Sequence, residues 1–297
     1  MSGISEQNLS ILQGAVDLFT HANPDRLPRQ YNDFELAAVA AAAGLRSVVH
    51  RHAYVSTAER ARLVKISTGF DMLGAVVLND TLGGINPYAA EHALDMGAAL
   101  VGLPTLSAAA YRADLGRRLP QRLHGLLTFG PGNLTTCDAD GNVLPELKDV
   151  LATTLEHNAV LNLGYVSLEE QLTVATLASG MGLRKIVVTD PFVSDAELDA
   201  LLAIEGMFIE LETCSQLPDT PLLIDTGGIP FILNVLKRAG TDRVVISSDG
   251  GGFGTSPPEQ LAWALDGLRG AGISNADLCK LVRDNPIKMV GNFLDQA

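Results

Sequence analysis

Apolar and polar positions recur in one repeating block: a short β-branched run, a loop, an amphipathic stretch that stops at glycine, and then another apolar run. The spacing predicts strands over about 14–21, 46–52, 73–79, 98–103, 159–164, 184–190, 207–212 and 243–249. Helices are expected at about 33–43, 57–67, 87–96, 105–118, 167–181, 194–205, 229–239 and 257–271, with Gly44, Gly97, Gly182, Gly206 and Gly240 as stops. Strict alternation implies parallel strands with right-handed crossovers, and eight repeats suit a closed (β/α)8 TIM barrel better than an open doubly wound sheet. No Gly-x-Gly-x-x-Gly follows the first strand, which removes support for a dinucleotide fold; the Gly-rich DGGGFG at 249–254 reads as an active-site loop. One stretch breaks the rhythm. Within a single barrel domain spanning residues 1–297, the segment 119–157 holds no barrel strand; TTCDADGNVLPE predicts a hairpin around Asp140-Gly141, and Pro145–His157 an added helix. Such insertions usually decorate the face carrying the site, and a purely structural flap fits the sequence equally well.

Composition narrows the class. The chain has 297 residues, of which 47% are hydrophobic and 19% charged, and a net charge of −13, so it can bury a core without disulfides or a structural metal. The acidic balance argues against general nucleic-acid or acidic-membrane binding, since both need a basic surface. Three dispersed cysteines, Cys137, Cys214 and Cys279, form no CxxC pair. The N-terminus MSGISEQNLS lacks the features of a secretory signal, and no apolar run reaches the roughly 18 residues that span a bilayer, so a cytoplasmic location is expected.

In a (β/α)8 barrel the site lies at the C-terminal ends of the strands. Those ends are rich in chemistry here: DLFTH, VVHRHAY, VVLND, NLGY, VVTD, IELE and ISSD. Period-2 alternation puts Asp17, Phe19 and His21 on one face, and His50, His52 and Tyr54 on another, with Tyr165, Asp190 and Asp249 closing three further strands. Two histidines, two carboxylates and a phenol make a metal-binding set: His21, His52, Tyr165, Asp190 and Asp249, with Asp17, His50, Glu91 and Glu212 in reserve. Plainer roles exist for each. An isolated strand-end histidine is often a hydrogen-bonded structural residue, Asp190 before Pro191 could cap a turn, Asp249 could hold the Gly-rich loop, and Tyr165 could be a half-buried core tyrosine.

GAVDLFTHANPD, VVHRHAYVSTAERA, VVLNDTLGGINPYAAEHAL, VVTDP, ISSDGG and DNPIKMVG together resemble the amidohydrolase-like TIM-barrel proteins, in particular a bacterial subfamily with a DLHxHxxPD start and a GGxNP segment. The resemblance runs from about residue 14 to 293. The departures carry information. Phe19 stands where the family's HxH motif has its first histidine, Tyr165 and Asp190 where histidines usually end strands 5 and 6, and only His21 and Asp249 match the hydrolase ligands directly. The usual two-metal hydrolytic centre is therefore not expected intact. Phenolate, carboxylate and imidazole suit iron or manganese. In that respect the chain is similar to a related group, the TIM-barrel non-haem diiron monooxygenases associated with CoA-linked substrates and with diterpenoid hydroxylation in platensimycin and platencin biosynthesis. What that similarity implies is a monooxygenase with two irons, O2 and an external electron-donor system, with zinc or manganese as the alternative metal.

One further feature fits an anionic or CoA-linked small molecule. After strand 4, Arg112, Arg117, Arg118 and Arg122 face a single acid, Asp114, and arginine forks suit phosphate oxygens; a solvated helix face is the plainer account. The competing readings are a metal-dependent amidohydrolase-type hydrolase of an ester, thioester, amide or lactone, and a metal-free binding protein. No nucleic-acid or membrane partner is expected, and a homo-oligomer is compatible with the sequence.

Overall fold

Each β-branched run becomes a strand: β1 Val16–Thr20, β2 Ser47–His50, β3 Asp71–Val77, β4 Ala98–Gly102, β5 Val160–Asn162, β6 Ile186–Thr189, β7 Met207–Glu212 and β8 Val244–Ser247. The computed structural model describes residues 3–115, 121–190, 193–216, 227–252 and 256–295. The strands follow one another in a single eight-stranded sheet in the order β1 to β8, and Thr20 bridges Gly250 in parallel just beyond β8. With a helix after each strand, this is the expected (β/α)8 barrel. Burial explains the apolar runs: every residue of β2, β4, β5, β6 and β8 is buried, as parallel strands covered on both faces require.

The helices begin where the sequence supplies caps. Asn32, Ser167 and Ser194 each accept from the amide three residues on, while Glu35, Glu170 and Glu197 reach back to the cap amide. Gly182 ends the helix Leu168–Met181 in the left-handed region at φ 107°, which a side chain would disfavour. A helix at Glu6–Leu12, capped by Ser5, was not expected from the strand-helix rhythm. Of the helix expected over 105–118, the described part is Ala109–Ala113; residues 116–120 lie outside the described residues.

The chain packs as two units. The first comprises Met1–His50, Arg60–Leu73 and Glu210–Ala297, the second Arg51–Glu59 and Gly74–Ile209. In the first, Asn285 of the DNPIKMVG segment is buried and its amide donates to the carbonyls of Thr241 and Val244, both at 2.7 Å, which anchors the start of β8. In the second, Asn86 of GGINP caps the helix Pro87–Asp95 by accepting from the amides of Tyr88 and Ala89. Both motifs that carry the family resemblance therefore have structural work to do.

The insertion also lies in the second unit. Asp138 accepts from the amides of Asp140 and Asn142, Cys137 bridges Val143 in antiparallel fashion, and a helix follows at Pro145–Glu156. It is fastened to the loops after β2, β3 and β4: Tyr54 donates its hydroxyl to the Leu127 carbonyl, Gly132 its amide to Asp80, and Leu134 pairs with Ser107 and Ala109. The insertion thus sits on the C-terminal ends of those strands. Among the described residues, no helix is long and apolar enough to cross a membrane.

Candidate functional site

In the first unit, β1 and β8 deliver their strand-end residues to one place. His21 Nε2 lies 2.9 Å from Asp249 Oδ1, with the side chains 13% and 19% exposed. The backbone beside them is tied as closely, since the His21 amide donates to the Gly250 carbonyl at 2.8 Å. A Cβ on Gly251, which sits at φ +103°, would fall 2.0 Å from the His21 carbonyl oxygen, so only glycine lets the two loops approach this far. Asp249 itself adopts a left-handed φ of 49°, an uncommon conformation for a residue with a side chain. The ring of Phe19 meets that of His21 edge-on, centroids 5.1 Å apart.

Beneath this pair lies a buried acid. Asp17 accepts through Oδ1 from the amides of Phe19 (3.1 Å) and Ser248 (3.0 Å), and burial, reinforced by Glu210, pushes its pKa up to about 7. Ser247 donates to Glu210 at 2.8 Å.

A second histidine–aspartate contact closes the end of β2. His50 is fully buried, its Nδ1 lies 2.9 Å from Asp33 Oδ1, and its Nε2 accepts from the Ala22 amide at 3.3 Å. Arg60 grips the same carboxylate with two nitrogens and donates to the carbonyls of Asn23 and Pro24. Desolvation holds the His50 pKa below the ordinary imidazole value, so it stands neutral. The network pins the loop that follows His21. Arg60 is one of its centres.

The second unit holds the other expected site residues. His52 is buried, its Nδ1 accepting from the Tyr54 amide at 3.1 Å, and its ring packs edge-on against Tyr54. Tyr165 is half-buried and stacks on Tyr111, with ring centroids 5.3 Å apart. Asp190 takes a left-handed φ of 39° at the end of β6. Asn79, within the VVLND strand end, is the polar hub here: its amide donates to Ala53 and Thr105, and its carbonyl accepts from Thr105 and Ser107. Glu91 is exposed on its helix, while Glu212 is buried at the end of β7. Arg112 donates to the carbonyls of Leu106 and Phe129, fastening the insertion. Arg117 and Arg118 lie outside the described residues, as does the side chain of Arg122.

The two strand ends thus set an imidazole nitrogen 2.9 Å from a carboxylate oxygen, and a sequence-family model provides the affiliation. Residues 14–210 match the model of the family of unknown function DUF6282. The chain belongs to that family. No curated protein matches its sequence significantly. Solved structures with the same fold include an amidohydrolase from Pseudomonas aeruginosa (TM-score 0.60, 12% identity, 98% of this chain and 99% of that one). An organophosphorus hydrolase from Deinococcus radiodurans aligns with TM-score 0.55 at 14% identity over 95% and 94% of the two chains. A 2,6-dihydroxybenzoate decarboxylase from Rhizobium aligns with TM-score 0.54 at 14% identity over 94% and 99%. At these identities the likeness is one of fold.

The donors of a two-metal centre are not matched. Phe19 replaces the first histidine of the HxH pair, both nitrogens of His50 have protein partners, and among the described residues no three His, Cys, Asp or Glu side chains gather as a metal site would require. Of the expected set, His21 and Asp249 are brought together; His52, Tyr165 and Asp190 belong to the other unit.

Proposed function

We propose that this chain is an amidohydrolase-type hydrolase of a small-molecule ester, thioester, amide or lactone, in which His21 and Asp249 form the general base. The observation that carries this reading is the 2.9 Å contact between the two side chains where β1 and β8 end. A carboxylate beside an imidazole steadies the imidazolium that forms when the ring takes a proton in the course of the reaction. The pair takes a proton from water as its oxygen attacks the acyl carbon; the bond to the leaving oxygen, sulfur or nitrogen breaks, and the leaving group collects the proton. The Gly-rich turn supports close approach of the two loops, and the partial exposure of both side chains admits water.

Two of the solved structures described above are hydrolytic by name, and none of the three is an oxygenase. No donor arrangement in the described residues favours the diiron reading, and Arg112, engaged by carbonyl oxygens, lends no support to a CoA-linked substrate. The test is a panel of chromogenic esters, thioesters, lactones and amides, assayed in air and under anaerobic conditions. Hydrolysis that is unchanged without O2 and lost in His21→Ala and Asp249→Ala is the expected result. Turnover that requires O2 and a reductant would overturn it.

A further inference from the structure

We propose that Asp17 is a positioning residue that sets the His21–Asp249 contact, by holding the ends of β1 and β8 in register through a single carboxylate oxygen. Its Oδ1 accepts from two amides at once: that of Phe19, two residues before His21, and that of Ser248, the residue immediately before Asp249. One atom thus fixes both backbones just upstream of the two working side chains. Ser248 continues the tie, its hydroxyl donating to the Phe19 carbonyl at 3.2 Å and accepting from the Gly250 amide at 2.8 Å. Gly250 in turn receives the His21 amide. The chain of hydrogen bonds runs from Asp17 to the pair without a gap.

The choice of residue is costly, which is what makes it informative. Asp17 has no exposed surface, sits between the core residues Val16 and Leu18, and its Oδ2 is buried with no hydrogen-bond partner among the described residues. Packing alone would be served by valine at such a place, because a buried carboxyl carries a desolvation penalty. The penalty is tolerable where an acceptor is needed at one point: the β1–β2 register shifts between Asp17 and Thr20, Ser248 lies just past the end of β8, and the Asp17 carboxylate takes the amides of both Phe19 and Ser248.

The inference rests on the reading of His21 and Asp249 as the working pair, but its test needs no substrate, so absence of turnover and failure of the clamp are separate results. The full-length protein is labelled with 15N-histidine, and the Nε2–H signal expected from the His21–Asp249 contact is assigned by its loss in His21→Gln and Asp249→Ala. Asp17→Asn, which retains an acceptor at the Oδ1 position, is expected to leave that signal in place. Asp17→Val, which fills the volume and removes the acceptor, is expected to speed its exchange with solvent by about tenfold or abolish it, as the loss of a tie worth about 1.4 kcal/mol predicts. A folded Asp17→Val protein with the signal unchanged would refute the proposal, and so would an Asp17→Asn protein that loses the signal as completely as Asp17→Val. If Asp17→Val does not fold, Asp17→Asn decides alone: the signal retained supports the clamp, the signal lost refutes it.

Discussion

Two histidine–aspartate contacts stand in the same unit at the same 2.9 Å, yet they are built for different work. His50 has no exposed surface, one ring nitrogen on Asp33 and the other on the Ala22 amide, and its carboxylate partner is held again by Arg60. His21 and Asp249 keep 13% and 19% of their side chains open, at a turn whose glycines allow a second chain segment to come against them. Residue types and distance are shared; burial is not. A histidine whose nitrogens are both committed to the protein is a fastener, and one that meets water beside a carboxylate can move a proton.

Exchanging the two roles by mutation separates them most sharply. His21→Ala and Asp249→Ala are expected to lower kcat/KM on any substrate found by roughly 10²–10⁴, the range for loss of a general base, with stability within about 1 kcal/mol of the parent. His50→Ala should do the reverse, costing roughly 3 kcal/mol in urea unfolding through a buried cavity and the loss of one of the two partners of Asp33, with kcat/KM changed only a few-fold. If His50→Ala abolished turnover at intact stability, the comparison would be wrong in its main claim.

Arg60→Ala tests the fastener from its other end. Removing the guanidinium leaves Asp33 with one partner and releases the carbonyls of Asn23 and Pro24, which predicts a loss of roughly 3 kcal/mol, measured by urea midpoint. Arg60→Lys should recover only part of it, because an ammonium cannot grip both carboxylate oxygens as the fork does. A loss below about 0.5 kcal/mol in both would mean that the network is ordinary surface pairing.

The sequence makes the barrel plain and the network invisible, for one physical reason. Strand runs and glycine stops are local, and the eight strands form where the alternation puts them, as do the hairpin at Asp138–Asn142 and the helix at Pro145–Glu156. Partners are not local. Parity places His50 and His52 on one face with equal claim to the site, but Asp33 and Arg60, distant in sequence, draw His50 into the core. Asn79 and Asn285 do their work by collecting backbone groups far along the chain, which no periodicity announces. Of the site, His21 and Asp249 are legible because strand ends in this fold converge; the two amides gathered by Asp17 are not, because Phe19 and Ser248 come from opposite ends of the chain.

Acid and base should pull the two regions apart with opposite signs. His50 titrates below the ordinary imidazole pKa of 6.5 in the folded chain, so the unfolded state binds the extra proton first and stability is lost as pH falls below about 6.5; His50→Gln should flatten that limb. Asp17 is raised from 3.8 to about 7, so the folded state holds its proton longer and stability is lost as pH climbs through that interval, by about 4 kcal/mol in the limit. Asp17→Asn should therefore gain on the parent steadily from pH 4 to 7 and no further above it. Urea midpoints at four or five pH values read both, and parallel curves for Asp17→Asn and parent would show that Asp17 ionises as freely folded as unfolded.

The smallest effect expected concerns how the open pair keeps its geometry. Phe19 stands where the resembling hydrolases place a histidine, and here its ring edge rests against the His21 imidazole. An edge-to-face contact of this kind contributes about 1 kcal/mol, and Phe19 is only half-buried, so Phe19→Leu should shift the unfolding midpoint little. Its effect belongs to the ring instead: with one wall gone, His21 samples more rotamers and kcat falls about three- to tenfold while KM holds, as for a residue that orients the base rather than binds substrate. Phe19→Tyr, which keeps the edge, should restore most of it. Equal losses in both variants would mean that Asp249 alone orients His21, and that Phe19 acts by shaping the space in which substrate sits.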